Sequence, residues 1–516
     1  MSLDEPLIKL SMPEWSHEQK LAVARVSAQA LTQSAPILGE SWSCQWWEDV
    51  IAYLSVSQQE LESRVLHSQQ AVEILSTESQ DIRIEVLIDI LALALQINNE
   101  KKGKVMLYDA RSRRFLVHLE KLMDLSRGDL ASVEKSISQQ MYYALLETKE
   151  VEDESTMQQN MDISARKAIT DTNKKKSTFK WLATGAGIIG GGALIALTGG
   201  LAAPLLAPLL VGVTGATFFA TAGGVALVTS LFGLTGGGLA GWKMHRRMRG
   251  IEEFEFKQIL NDPDLPPVPA LHCTICISGF LLESKQETRT PWEHAFERNR
   301  NHNDIFCLEY ETDTLLELGY SFRKFVRDSA VNYAGMEVAK ATVLSAFFAA
   351  VVLPATLLKF ADVIDNPWHL AVDRSKKAGV VLADVLEERV QGNRPCNLVA
   401  YSCGCLVIWH CLKELDRRGL HGLVYNVVFM GAPISTEDTL EWHKAASVVS
   451  GRFVNCYTPN DWVLAYVYRL LSLETSVAGL EPVKNVKRIE NMEVELEGHT
   501  KYPYTIKEIM DQIQLE

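Results

Sequence analysis

The 516-residue sequence predicts an α/β fold with a mostly parallel sheet in its C-terminal half, preceded by an all-helical domain and a glycine-rich apolar block. Two observations carry this prediction. From Leu271 onward, short apolar runs alternate with helical patterns, which is how a parallel sheet covered by helices reads. Between Lys180 and Lys243 there are 62 residues without a charge, holding sixteen of the chain's 32 glycines.

Composition sets the outer bounds. Apolar residues at 47% and charged residues at 22% allow a packed core. A net charge of −13 argues against a general nucleic-acid binder, so no nucleic-acid partner is expected. The nine cysteines lie largely inside apparent strands and helices, which reads as reduced thiols in a cytosolic setting. Cys273 and Cys276 have C-x-x-C spacing, but they sit in a strand, where residues three apart face opposite sides. They read as structural, and no metal or cofactor is expected. Asp4 and Glu5, with no long apolar run, do not read as a secretory signal.

Residues 1–180 read as a helical domain with a polar linker. Apolar residues recur at helical spacing in Trp47–Leu54 and Phe115–Leu122, without sustained heptads. This region could recruit protein partners. Residues 181–242 read as a membrane hairpin, since one span needs roughly 20 apolar residues. Pro204 and Pro208 mark its bend, and Gly187/Gly191 and Gly233/Gly237 permit close helix packing. Basic flanks at Lys174–Lys176, Lys180, Lys243, Arg246, Arg247 and Arg249 place both soluble parts on the cytosolic side. A buried hairpin inside a soluble protein is the other reading.

A joint at 243–270, with Pro263, Pro266 and Pro267, reads as an extended linker. Strands are expected at His272–Gly279, Ile305–Tyr310, Asn397–Ser402, Val424–Met430, Arg452–Thr458 and Lys487–Glu495. Helices are expected at Asp313–Asp328, Ala371–Arg389 and Cys403–Arg418. An apolar run at 341–358 reads as an insertion, a lid or a membrane-surface helix.

The chemistry concentrates at Ala400-Tyr401-Ser402-Cys403-Gly404, an apolar strand, a small-residue turn and a helix. A sharp strand-to-helix turn lifts a serine hydroxyl clear of a sheet, and small neighbours let the backbones pass. The segment matches the G-x-S-x-G elbow pattern of the α/β-hydrolase type, with Ala400 in place of the first glycine. A capping serine in an ordinary turn is the plainer alternative. In this fold the partners follow the serine as acid, then histidine. His499, in a glycine-bearing loop after the last strand, is favoured over His410, His421 and His443. Asp461, after the Arg452–Thr458 strand, is the expected acid, though it reads equally well as a helix cap. Glu437 and Asp438 are the fallback. An oxyanion hole would use the amides of Cys403 and Phe280, with Gly279 supplying backbone freedom.

These residues also carry a resemblance. The elbow, Asp362-Val363-Ile364-Asp365-Asn366-Pro367-Trp368, Met430-Gly431-Ala432-Pro433, Val448-Val449-Ser450-Gly451-Arg452, Asn460-Asp461-Trp462 and Val477-Ala478-Gly479-Leu480 recur in order. Over about residues 110–512 the chain resembles the eukaryotic transmembrane and coiled-coil domain-containing protein four family. The resemblance implies an α/β-hydrolase-like, membrane-associated protein with Ser402, Asp461 and His499 in the catalytic roles, and some fungal relatives are regarded as lipases. The expected function is a membrane-associated serine hydrolase cleaving an ester, with a lipid as the substrate a membrane anchor favours. A non-catalytic hydrolase-fold scaffold recruiting trafficking partners is the alternative.

Overall fold

The computed structural model describes residues 11–63, 68–100, 103–152, 222–233, 238–241, 250–259, 268–297, 303–333, 361–471 and 476–515. Seven strands form one sheet in the order β3-β5-β4-β6-β7-β8-β9. They are β3 (Phe254–Ile259), β4 (Cys273–Ile277), β5 (Asp304–Tyr310), β6 (Cys396–Tyr401), β7 (Val424–Met430), β8 (Phe453–Tyr457) and β9 (Ile489–Glu493). Strands β4 to β9 run parallel to one another, and β3 is antiparallel to β5 at the edge.

All six strands expected from the sequence are present. Every residue of β4, β6 and β7 is buried, as strands covered on both faces must be. The helices α9 (Thr312–Tyr333), α10 (Ala361–Glu387) and α11 (Cys403–Arg417) match the expected segments and extend two of them. Cys273 and Cys276 are free, buried thiols. Cys273 pairs in register with Cys396 and Cys276 with Cys307, so the two neighbour different strands.

The N-terminal region is not all-helical. Helices α1 (His17–Leu38) to α7 (Asp129–Glu152) are interrupted by a hairpin of β1 (Leu95–Glu100) and β2 (Gly103–Tyr108). The apolar pattern of α5 (Gln80–Ala94) runs without a break into Leu95 and Ile97, so nothing in the periodicity marks the change. Likewise β3 lies inside the span read as linker. Its Phe254-Glu255-Phe256-Lys257 alternation is that of a half-exposed edge strand, which a search for continuous apolar runs passes over.

The apolar block is described only at its C-terminal end, and 181–221 and the insertion at 341–358 lie outside the described residues. Among the described residues no helix is long and apolar enough to cross a membrane. Helix α8 (Ala222–Phe232) is packed into protein instead. Leu227, Val228, Leu231 and Phe232 are buried in the N-terminal core. The Met106 amide donates to Ser230 Oγ at 3.3 Å, and the Asn393 amide donates to the Ser230 carbonyl at 3.1 Å. An uncharged run can be buried by a lipid or by a protein, and for α8 it is protein.

The N-terminal core docks where the parallel strands begin. The Tyr108 amide donates to Asn393 O and the Ala110 amide to Gly422 O, just ahead of β6 and β7. At this junction buried Glu134 accepts from Arg113 Nε at 2.9 Å and Nη2 at 3.0 Å, and from the Tyr108 hydroxyl at 2.7 Å. The guanidinium of Arg113 stacks 4.5 Å from the Tyr425 ring centroid. Removing one member of such a pair strands a buried charge, at a cost of about 3–5 kcal/mol. Arg113→Ala is therefore expected to lower the unfolding free energy by about that amount. Urea denaturation followed by fluorescence tests this, and a change below about 1 kcal/mol, the range of an exposed pair, contradicts it.

Candidate active site

Strand β6 ends at Tyr401 and α11 starts at Cys403, so Ser402 alone makes the turn. It does so with φ 53° and ψ −131°, a conformation non-glycine residues rarely hold and which costs about 1–3 kcal/mol. Two backbone hydrogen bonds hold it: the Ser402 amide to Met430 O and the Cys405 amide to Ser402 O, both 2.9 Å.

Close packing around the turn explains the small residues. A Cβ at Gly404 would stand 2.4 Å from Ile277 O and 3.3 Å from the Ala400 methyl. With glycine at 404 there is room for alanine at 400, so the departure from the elbow pattern leaves the turn intact. Gly279 has a different reason from the one expected. It does not adopt a left-handed φ. A Cβ there would lie 2.1 Å from Tyr401 O and 2.4 Å from Cys403 N. What the position supplies is space, where the end of β4 presses on the elbow.

Three side chains far apart in sequence meet at this turn. Ser402 Oγ lies 2.6 Å from His499 Nε2, and His499 Nδ1 lies 2.5 Å from Asp461 Oδ2. The network puts the ring proton on Nδ1, which donates to the carboxylate, and leaves Nε2 to accept from the serine hydroxyl. Asp461 makes two contacts at once. Its Oδ1 accepts from the Leu464 amide at 3.0 Å, capping α13 (Trp462–Leu471), while Oδ2 holds the histidine. The fallback acid Asp438 caps α12 (Thr439–Ser447), accepting from the Glu441 amide. His421 and His443 are exposed. His410 is on α11, where burial and then Lys413 hold its imidazole down at about 4. Such an arrangement can draw a proton from a serine hydroxyl and return it to a leaving group.

The amides of Cys403 and Phe280 are both at the turn, and among the described residues neither donates to a backbone acceptor. The Phe280–Leu281 peptide is held from both sides. Its carbonyl accepts from the Tyr401 hydroxyl at 3.0 Å, and its N–H donates to Leu315 O at 3.0 Å. Burial pushes the Cys403 thiol up to about 12, so beside Ser402 it stays a neutral thiol rather than a competing thiolate.

No sequence pattern marks the aromatic enclosure. Phe280 and Phe322 lie 5.4 and 5.3 Å from the His499 ring, and Tyr502 meets it edge-on at 5.7 Å. Trp368 backs Phe322, and Phe325 stacks between Trp462 and Tyr466. Ser402 and Asp461 are 0% exposed and His499 is 1% exposed. Phe322 and Phe325 have helical spacing and read as ordinary core, so no local signal tied them to the serine.

Residues 175–516 match the family described as protein of unknown function (DUF726). A Caenorhabditis elegans protein named an uncharacterized membrane protein is 33% identical over 79% of this chain and 64% of its own. The rice transmembrane and coiled-coil domain-containing protein STS1 is 34% identical over 79% of this chain and 61% of its own. The yeast protein named probable lipase MIL1 is 29% identical over 84% of this chain and 38% of its own. The chain thus spans about three fifths of the length of the first two. No solved structure matches.

The packing makes opposite forecasts for two small residues. On the hydrolase reading, Gly279→Ala is expected to slow the reaction of Ser402 with a fluorophosphonate about 100-fold, the order of losing one oxyanion donor. Ala400→Gly is expected to leave that rate nearly unchanged. Equal rates for the two variants would remove the steric account.

Proposed function

The chain belongs to the DUF726 family, and on that premise we propose that it is a membrane-associated serine hydrolase of the α/β-hydrolase type, cleaving a carboxylic ester of a lipid-like substrate. The observation that carries this reading is the chain of short contacts from Ser402 through His499 to Asp461. The order serine, acid, histidine and the strand–serine–helix turn fit that fold type. So does the position of the serine. Chain connections run from β4 outward to β5 on one side and from β6 to β7 on the other, and ligands bind outside strand ends at such a switch point. The hydrolase unit then covers residues 271–516, with β3 as an added edge strand.

In the proposed reaction Ser402 Oγ attacks the ester carbonyl as His499 Nε2 takes its proton. The amides of Cys403 and Phe280 donate to the oxyanion. Asp461 holds the imidazole and balances its charge. The carbonyl reforms as the C–O bond breaks, and the alkoxide leaves with the proton from His499. Water, deprotonated by the same imidazole, then attacks the acyl-enzyme and releases a carboxylic acid. The substrate class rests on the apolar lining of the site, on the name of the yeast relative and on the membrane proteins among the relatives.

Fluorophosphonate labelling tests the assignment. Wild type is expected to label and Ser402→Ala to show none. His499→Ala and Asp461→Asn are expected to slow turnover of a p-nitrophenyl ester about 10³–10⁴-fold with folding intact. Undiminished labelling of Ser402→Ala would refute the nucleophile, and an inert wild type would favour a scaffold.

A further inference from the structure

Resting on that reading, we infer that α9 is a strap closed over the serine, lifting at a lipid surface to admit substrate. The helix starts directly after β5, on one side of β6. Gly319 passes so near the chain after β4 that a Cβ there would stand 1.9 Å from Leu281 O. One turn later Phe322 covers His499 at 5.3 Å and Phe280 at 5.5 Å. Phe325 then reaches Trp462 at 4.9 Å and Tyr466 at 4.5 Å, on the helix that follows β8. Because β5 and β8 flank β4, β6 and β7, α9 crosses the C-terminal edge of the sheet above the elbow.

The helix is two-faced in the way a strap requires. Leu315, Leu318, Phe322 and Phe325 are buried beneath it, whereas Asp313, Glu317, Tyr320 and Arg323 are exposed above. Its polar ties gather near the β4 end. The Leu281 amide donates to Leu315 O, Arg323 Nη1 donates to Leu282 O at 3.1 Å, and Lys285 pairs with Asp313 at 2.9 Å. The far half meets the site through the rings of Phe322 and Phe325. Lifting that half bares two phenyl rings, which water opposes and a lipid surface accepts. Tyr320 on the strap and Tyr504 are two of the three large apolar side chains exposed among the described residues. Tyrosine is a side chain suited to a membrane–water boundary.

Two readouts on the full chain separate this inference from the hydrolase reading. One is the fluorophosphonate labelling rate, and the other is amide hydrogen exchange over residues 312–327, each with and without phosphatidylcholine vesicles. Vesicles are expected to raise wild-type labelling at least tenfold and to speed exchange at 312–327. Phe322→Ala is expected to label without vesicles at the rate vesicles give wild type. Unchanged exchange overturns the strap whatever the labelling shows, and needs no variant to fold. Faster exchange with no labelling of any form leaves the strap standing and removes the hydrolase reading.

Discussion

The rest of the site depends on one close approach, that of the end of β4 to the turn at Ser402. Gly279 and Gly404 let three backbones share a volume that a single added methyl group would overfill. That crowding is what holds a serine at φ 53°. A strained residue persists only where its surroundings leave no alternative. Here they are the Met430 carbonyl on one side, the start of α11 below and the β4 loop on the other. The same approach sets the chain at Gly279 against the Cys403 amide, so the turn and the proposed oxyanion donors would share one cause.

The molecule divides its tasks between the two edges of the sheet. At the edge where the strands begin, the N-terminal core docks through main-chain bonds and the Glu134–Arg113 pair. At the edge where they end, Ser402, Asp461 and His499 converge and α9 passes above them. The helical region therefore closes the base of the sheet and leaves the site to the loops and helices of the C-terminal half. A rigid base matters because Ser402, Asp461 and His499 follow three different strands, and their spacing is only as constant as the register of those strands.

How much was legible in the sequence varied with the kind of physics. Buried parallel strands are near-continuous apolar runs, so β4 to β8 could be read directly, whereas β9, with only Ile489 buried, was placed by its position after them. Ser402 and His499 could be paired by chain order, because the turn has a compositional signature and the loop after the last strand is a fixed place. Asp461 was ambiguous for a good reason, since its two oxygens do two jobs. The half-exposed strand β3 and the hairpin β1–β2 lack a continuous apolar run bounded by turn residues. The apolar block was ambiguous at a deeper level. Hydropathy reports that α8 avoids water without reporting what covers it, and its cover is the hairpin and the loop before β6. The aromatic roof was illegible because it is assembled from helices and loops after four different strands.

A scaffold would have little use for this arrangement. Holding Ser402 in its strained turn costs about 1–3 kcal/mol. Burying an aspartate and a histidine adds desolvation, which a hydrophobic pair of similar volume would avoid. Each cost has a return if a proton must move from the serine to Nε2 in a site closed to water. The enclosure points the same way. Three aromatic rings packed on His499 beside a fully buried hydroxyl are a poor surface for recruiting a protein, yet they suit an apolar chain that replaces them when the roof lifts. What distinguishes a working site from an inherited fold is therefore the pairing of strain with access. Ser402 supplies the strain, and the strap proposed at α9 would govern the access.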